Sequence, residues 1–337
     1  MSVVNKILFG DCRESMRQLI VEGVKVQMCV TSPPYWGLRN YGVDGQLGNE
    51  KTPDEYVQNL VEVFSLVYEL LADDGTAWLN IGDTYAGSWG NAGHRPELDG
   101  TPSHQREKTT GYISRKGWDE RRERPPASYK LEGIQAKELV GIPWMVAFAL
   151  RKSRWRIRQD IIWAKTNPMP ESIRDRCTRS HEYLFLLTKS GKYYFDDKAI
   201  AEPLARPDEA DRKTPGKFGG AQKHLLTGKQ SRLHSGKEYK GTSGLRNKRD
   251  VWMVSVKPYK GSHSAVFPVD LIEPCILAGS RPGDVVFDPF MGSGTTAQVA
   301  IQYGRKYLGC ELNPEYKKLQ DERIEKAEDL VFFGSEK

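Results

Sequence analysis

The chain of 337 residues is 38% hydrophobic and 28% charged, with a formal net charge of +6 and a mean hydropathy of −0.59. That supplies core for one large domain or two ordinary ones, and the longest apolar stretch, residues 142–150, falls short of the about 20 residues that cross a bilayer. The opening MSVVNKILFGDC lacks the basic-then-apolar layout of a secretory signal, and the five scattered cysteines form no CxxC pair, so the expectation is a cytoplasmic protein with no membrane span, disulfide framework or metal site.

In chain order, Lys6–Phe9 reads as a short strand that ends at Gly10-Asp11-Cys12, and Arg13–Val21 has helical spacing in Met16, Leu19 and Ile20. Val26–Thr31 is a near-continuous apolar run, the pattern of a buried parallel strand. Pro53–Leu71 is predicted as a long amphipathic helix, and Asp73-Asp74-Gly75 turns the chain into a strand over Thr76–Ile81. Gln135–Leu150 is predicted helical, with strands over Arg156–Ala164 and Tyr183–Thr188. A helix over Pro268–Ala278, a strand over Asp284–Phe287, a helix over Thr295–Tyr303, a strand over Tyr307–Cys310 and a closing helix from Pro314 complete the pattern. Strands alternating with helices imply an α/β fold, a parallel sheet with helices on both faces. Ligands bind such sheets at the carboxyl ends of the strands.

Two stretches interrupt this pattern. Residues 84–130 carry 9 basic and 6 acidic side chains, and residues 206–260 carry 14 basic against 5 acidic, with seven glycines. Each alone is compatible with a solvated loop; two in one chain point to a grip on a polyanion.

Two motifs carry chemistry. In the first, Phe287-Asp288-Pro289-Phe290-Met291-Gly292-Ser293-Gly294-Thr295 takes a buried strand through a Gly-x-Gly turn straight into a helix. Such a turn lets a ligand approach the backbone, and the helix start offers free N–H groups. Glu311, at the end of the next strand, is placed to take the two hydroxyls of a ribose. No lysine follows the last glycine, so a phosphate loop is excluded, and the dinucleotide fingerprint fits poorly. An adenosyl cofactor without phosphates matches better.

The second motif is Ser32-Pro33-Pro34-Tyr35. Tandem prolines make a rigid loop, in which Ser32 Oγ and the Pro33 carbonyl can each accept one N–H of an exocyclic amine. Holding both hydrogens aims the nitrogen lone pair outward. Tyr35 offers a ring on which a planar base stacks, and the ring face and carbonyl dipoles stabilise positive charge as the nitrogen attacks a sulfonium methyl.

On these motifs the chain resembles the beta-class amino-directed DNA methyltransferases, which use S-adenosylmethionine. Their catalytic signature is Asp, Asn or Ser followed by Pro-Pro and an aromatic residue. Their cofactor signature, Asp-Pro-Phe-x-Gly-Ser-Gly-Thr, matches Asp288–Thr295, and the permuted order, catalytic loop first, is also theirs. The resemblance implies a circularly permuted Rossmann-like methyltransferase sheet with a basic target-recognition insert. It implies a catalytic half over 1–200, with the insert at 84–130, a recognition segment over 201–250 and a cofactor half over 251–337. It further implies that Asp11 and Cys12 form an adenine-contacting turn, that His263 and Phe267 close over the methionine end of the cofactor, and that Glu311 binds the ribose. Basic residues such as Arg212, Lys213, Lys223, Arg232, Arg246, Lys248 and Arg249 would contact double-stranded DNA, with the target base flipped out to reach Tyr35.

Ser in the first signature position resembles the cytosine-N4 members; adenine N6 stays open. A nucleotide-binding oxidoreductase, a DNA-binding protein that has lost catalysis, and an RNA- or protein-directed methyltransferase are the rival readings. The resemblance also allows a cognate restriction endonuclease as partner and a monomeric or homodimeric enzyme.

Overall fold

Apolar strands alternating with one-sided helices assemble into an open sheet in the computed structural model, which describes residues 3–38, 42–87, 131–204, 244–256 and 267–334. The chain divides into two compact units, residues 1–195 with 250–337, and residues 196–249.

The larger unit holds strands β1 (Lys6–Phe9), β2 (Val26–Thr31), β3 (Leu71–Ile81), β4 (Arg156–Lys165) and β5 (His181–Thr188). The smaller holds β6 (Glu202–Pro203) and β7 (Leu245–Arg246), an antiparallel pair. Strands β8 (Val251–Val254), β9 (Val285–Asp288) and β10 (Lys306–Glu311) return to the larger unit. Its eight-stranded sheet has the order β1-β10-β9-β2-β3-β5-β4-β8. The first five run parallel, β5 runs antiparallel to both neighbours, and β8 is parallel to β4.

Helices α1 (Cys12–Val21), α2 (Pro53–Leu70) and α3 (Ile142–Lys152) pack in series, as do α4 (Val269–Gly279), α5 (Thr295–Gln302) and α6 (Lys317–Gly334). The period of two along the central strands separates the layers. Cys29, Ala77 and Leu79 join the core beneath α1–α3, whereas Met28, Thr76 and Trp78 meet Gly279 of α4. Helix α2 illustrates why these residues form these elements. Thr52 caps it by accepting from the Glu55 N–H at 3.2 Å, Pro53 sits in its first turn, and Tyr56, Leu60, Val63, Phe64, Val67 and Leu70 form a fully buried stripe. Each such side chain contributes about 1.5–3 kcal/mol by leaving water.

Three expectations need correction. The predicted helix over 135–150 begins only at Ile142. Gly141, at φ 86°, precedes its first turn, and residues 131–139 make isolated bridges instead, since Pro143 fits a first turn but not a helix interior. Strand β3 starts at Leu71, with the Asp73–Gly75 turn absorbed as an irregularity in the β2–β3 ladder. The sheet is mixed, because β5 reverses direction.

Candidate active site

The carboxyl ends of β1, β2, β3, β9 and β10 meet at one edge of the sheet. Because β5 is reversed, its amino end also arrives there, pairing Tyr183 with Ile81 and His181 with Ala164 of β4. A cavity of about 710 Å³ opens at this edge and is lined by Asp11, Cys12, the whole Ser32–Tyr35 loop, Phe267, and most of the 289–295 loop with Glu311.

The Ser32–Tyr35 loop is fixed from below. The Tyr56 hydroxyl donates to the Pro34 carbonyl at 2.9 Å, and the buried Trp36 indole N–H donates to the Glu50 carbonyl at 2.9 Å. The Tyr35 ring lies against Gly82, where an added Cβ would stand 2.7 Å from a ring carbon and 3.4 Å from a guanidinium nitrogen of Arg179. The Tyr35 hydroxyl donates to Glu182 Oε2 at 2.6 Å and lies 3.1 Å from Asn80 Oδ1. Ser32 Oγ in turn donates to the Tyr35 hydroxyl at 3.2 Å. Lys165 Nζ pairs with Glu182 Oε1 at 2.5 Å. Burial, with the Glu182 charge beside it, pushes the Tyr35 phenol well above its ordinary range, so Tyr35 holds its proton as a donor.

The Gly-rich loop is braced from behind. Asp288 is fully buried; its carboxylate accepts from Thr31 Oγ1 at 2.6 Å, Thr296 Oγ1 at 2.6 Å and the Phe290 N–H at 3.0 Å. Burial pushes its pKa up to about 6 despite those donors. Gly294, at φ 86°, turns the chain into α5, a conformation that a side chain would strain. Glu311 accepts from the Gly292 and Asn313 N–H groups, both at 2.8 Å, and burial pushes its pKa up to about 7. Ser293 Oγ is buried with no hydrogen-bond partner among the described residues.

A profile described as DNA methylase matches residues 26–322. The chain belongs to the DNA methylase family. It is 41% identical to the Type II methyltransferase M.Cfr9I of Citrobacter freundii, over 94% of this chain and 86% of that one. It is 42% identical to the Type II methyltransferase M.SmaI of Serratia marcescens, over 95% of this chain and 90% of that one. In fold it is similar to the PvuII DNA methyltransferase (cytosine-N4-specific), with a TM-score of 0.57 at 17% identity, covering 98% of this chain and 93% of that one. The M1.HpyAVI–SAM complex superposes with a TM-score of 0.50 at 17% identity, covering 94% and 98%.

The methylase uses S-adenosylmethionine, and its residues suit that group. The Gly292–Gly294 turn gives close backbone approach, the Ser293 hydroxyl, without a partner among the described residues, offers a polar contact, and Glu311 supplies the acceptor for a ribose diol.

Not every residue singled out from the sequence faces the cavity. Asp288 and Gly294 lie behind its wall and shape the loop. Asp11 lines the cavity, but its carboxylate caps α1 through the Arg13 N–H at 2.7 Å and is gripped by the Arg13 guanidinium at 2.6–3.1 Å. That pairing holds its pKa below the usual carboxylate range and takes up the oxygens expected to meet adenine. In the smaller unit, Arg246, Lys248 and Arg249 gather around Glu202 at 3.3–3.8 Å. Arg246 and Lys248 are mostly covered, while Arg249 is 68% exposed. His263, Arg212, Lys213, Lys223 and Arg232 lie outside the described residues.

Asn80, Glu182, Lys165, Arg179 and Gly82 escaped the sequence reading although all but Gly82 line the cavity. The available signals were a polar Asn near the end of an apolar strand and a His-Glu pair at the start of another. Neither means much until the direction of β5 is known.

Proposed function

We propose that the methylase transfers a methyl group from S-adenosylmethionine to N4 of a cytosine flipped out of duplex DNA, the resulting mark protecting sites from a cognate restriction endonuclease. The observation that carries the reading is the orientation of Ser32. Its own hydrogen is directed to Tyr35, so toward the cavity Oγ presents lone pairs, as an incoming amino group requires. Beyond the amine, cytosine presents two acceptors in a row, N3 and O2, whereas adenine presents N1 and then C2–H. Lys165, paired with the Tyr35 acceptor Glu182, and Arg179, beside Gly82 and the Tyr35 ring, both line the cavity and can donate to such a pair.

The bound cofactor supplies the electrophilic methyl on its sulfonium. The chain's own residues do the rest. Ser32 and the Pro33 carbonyl hold the amine, Tyr35 stacks on the base, and the loop braced by Asp288 orients the cofactor. Flipping costs a few kcal/mol, which contacts to phosphates offset; the basic segment 201–250 is assigned that role, together with reading the target sequence. Incubating the enzyme with DNA and labelled cofactor, then digesting to nucleosides for mass spectrometry, tests the reading. N4-methylcytosine is expected. N6-methyladenine would overturn the choice of base, and an unmodified digest would overturn the catalytic reading.

A further inference from the structure

We propose that Ser32, Tyr35 and Glu182 form a proton relay that carries the surplus proton of the methylated amine along the cavity wall, away from the reacting nitrogen, with Glu182 as its terminal acceptor. The inference rests on the reading that Ser32 receives the target amino group, and adds a fate for the proton.

The donors are ordered in one direction. Ser32 Oγ–H points to Tyr35 Oη at 3.2 Å, and Tyr35 Oη–H points to Glu182 Oε2 at 2.6 Å. Beyond Glu182 stands Lys165, 2.5 Å from Oε1, whose ammonium faces the oxygen that Tyr35 leaves free. Asn80 steadies the junction, donating to Glu182 Oε2 at 3.2 Å and to the Tyr183 carbonyl at 3.1 Å. Glu182 is nearly buried, its side chain 11% exposed, and it lines the same cavity as Ser32 and Tyr35, so the relay follows the cavity wall.

Other carboxylates on the cavity wall are engaged elsewhere. Asp83 accepts from the Thr84, Gly141 and Ile142 N–H groups, Asp11 is held by Arg13, and Glu171 is paired with Arg176. None of them is hydrogen-bonded to Ser32 or Tyr35 in the described residues.

The step balances. As the target nitrogen attacks, its bond to the methyl carbon forms, the carbon–sulfur bond breaks and the nitrogen becomes cationic. One N–H then breaks toward Ser32 Oγ while the Ser32 O–H proton moves to Tyr35 Oη and the Tyr35 proton moves to Glu182. The amine ends neutral, both hydroxyls are regenerated, and Glu182 is left protonated until it releases the proton to water. An ionised acid in the position of Ser32 would take the proton directly; a serine hydroxyl cannot keep it and needs a partner to pass it to.

Single-turnover methyl transfer to bacteriophage λ DNA, with enzyme in excess and run in H2O/D2O mixtures, tests the relay. Tyr35→Phe keeps the ring and removes one link; Glu182→Gln keeps the shape and removes the acceptor. Each is expected to slow transfer about 10²-fold, the scale of general base catalysis, with cofactor and DNA affinity within about threefold of wild type on that same argument. The double variant is expected to be no slower than either single one, because one broken link already stops the relay. Wild type should show a solvent isotope effect with a curved, multi-proton dependence on D2O fraction that both variants lose; loosened stacking alone would not change it. If Glu182→Gln fails to fold, Tyr35→Phe carries the test by itself. A Tyr35→Phe rate near wild type, or a wild type insensitive to D2O, overturns the relay. Ser32→Ala separates the layers. If it is slow while Tyr35→Phe and Glu182→Gln are fast, the relay alone is wrong; if it transfers at the wild-type rate, the placement of the amine fails as well.

Discussion

Asp288 stands first in the cofactor signature, yet its carboxylate points away from the cavity, and substitution can separate a brace from a ligand. Asp288→Ala leaves two threonine hydroxyls and the Phe290 N–H without their acceptor inside a fully buried site. Three bonds to an ionised group contribute about 1.5–3 kcal/mol each. The rise in pKa from 3.8 to about 6, net of those same bonds, means that the fold favours the protonated over the ionised carboxyl by about 3 kcal/mol at about 1.4 per unit, so burial of the charge offsets much of what the bonds supply. The net loss for alanine is then about 3 kcal/mol, a fall in melting temperature of roughly 5–10 °C for a domain of this size. Asp288→Asn keeps the oxygen that Thr31 and the Phe290 N–H share, and its amide can donate to the Thr296 hydroxyl, so the loss is about 1 kcal/mol. The pH dependence follows in sign. A carboxylate with a raised folded pKa favours the fold fully below 3.8 and loses that contribution as pH rises through about 6, so the asparagine variant should gain on wild type over that interval. The assay is thermal denaturation from pH 3.5 to 7, alongside calorimetric titration with S-adenosylmethionine. Alanine should lose stability and cofactor affinity together, while asparagine keeps both nearly intact. Asparagine with normal stability and a lost cofactor would make Asp288 a direct ligand and refute the reasoning.

Three further outcomes are expected. Glu311 must be ionised to accept a ribose diol, and burial holds its pKa near 7, so cofactor affinity should rise with pH up to and through about 7 and flatten above it; Glu311→Gln should bind weakly with no such slope in the same titration. Gly82→Ala places a Cβ 2.7 Å from the Tyr35 ring, so methyl transfer should fall about tenfold or more by the cost of misplacing a reacting group, with the cofactor dissociation constant unchanged. Replacing lysines and arginines within 206–249 by glutamine should flatten the salt dependence of DNA binding by about 0.9 in log–log slope for each phosphate no longer neutralised; a slope identical to wild type would place the grip elsewhere.

Much of the fold is legible in the residues because the central strands are buried on both faces. Val26–Thr31 and the strands flanking the Gly-rich loop read as apolar runs whose bounds lie within a residue or two of those observed. What the residues leave silent is direction. The apolar run of β5 looks the same whether parallel or antiparallel, yet only the antiparallel course brings Glu182 beside Tyr35 rather than to the opposite edge of the sheet. The same silence explains Asp288. A carboxylate next to glycines reads as a ligand until its donors are known, and one of them, Thr31, stands 257 residues away. Asp11 differs, since Arg13 lies two positions on, and the capping pattern that claims its oxygens is written locally. Motif residues thus announce chemistry, while the groups that orient them arrive from strands whose order and sense are settled by packing. In this methylase the two kinds meet at Tyr35, whose ring belongs to a recognisable signature and whose hydroxyl answers to Asn80 and Glu182, partners that only the assembled sheet supplies.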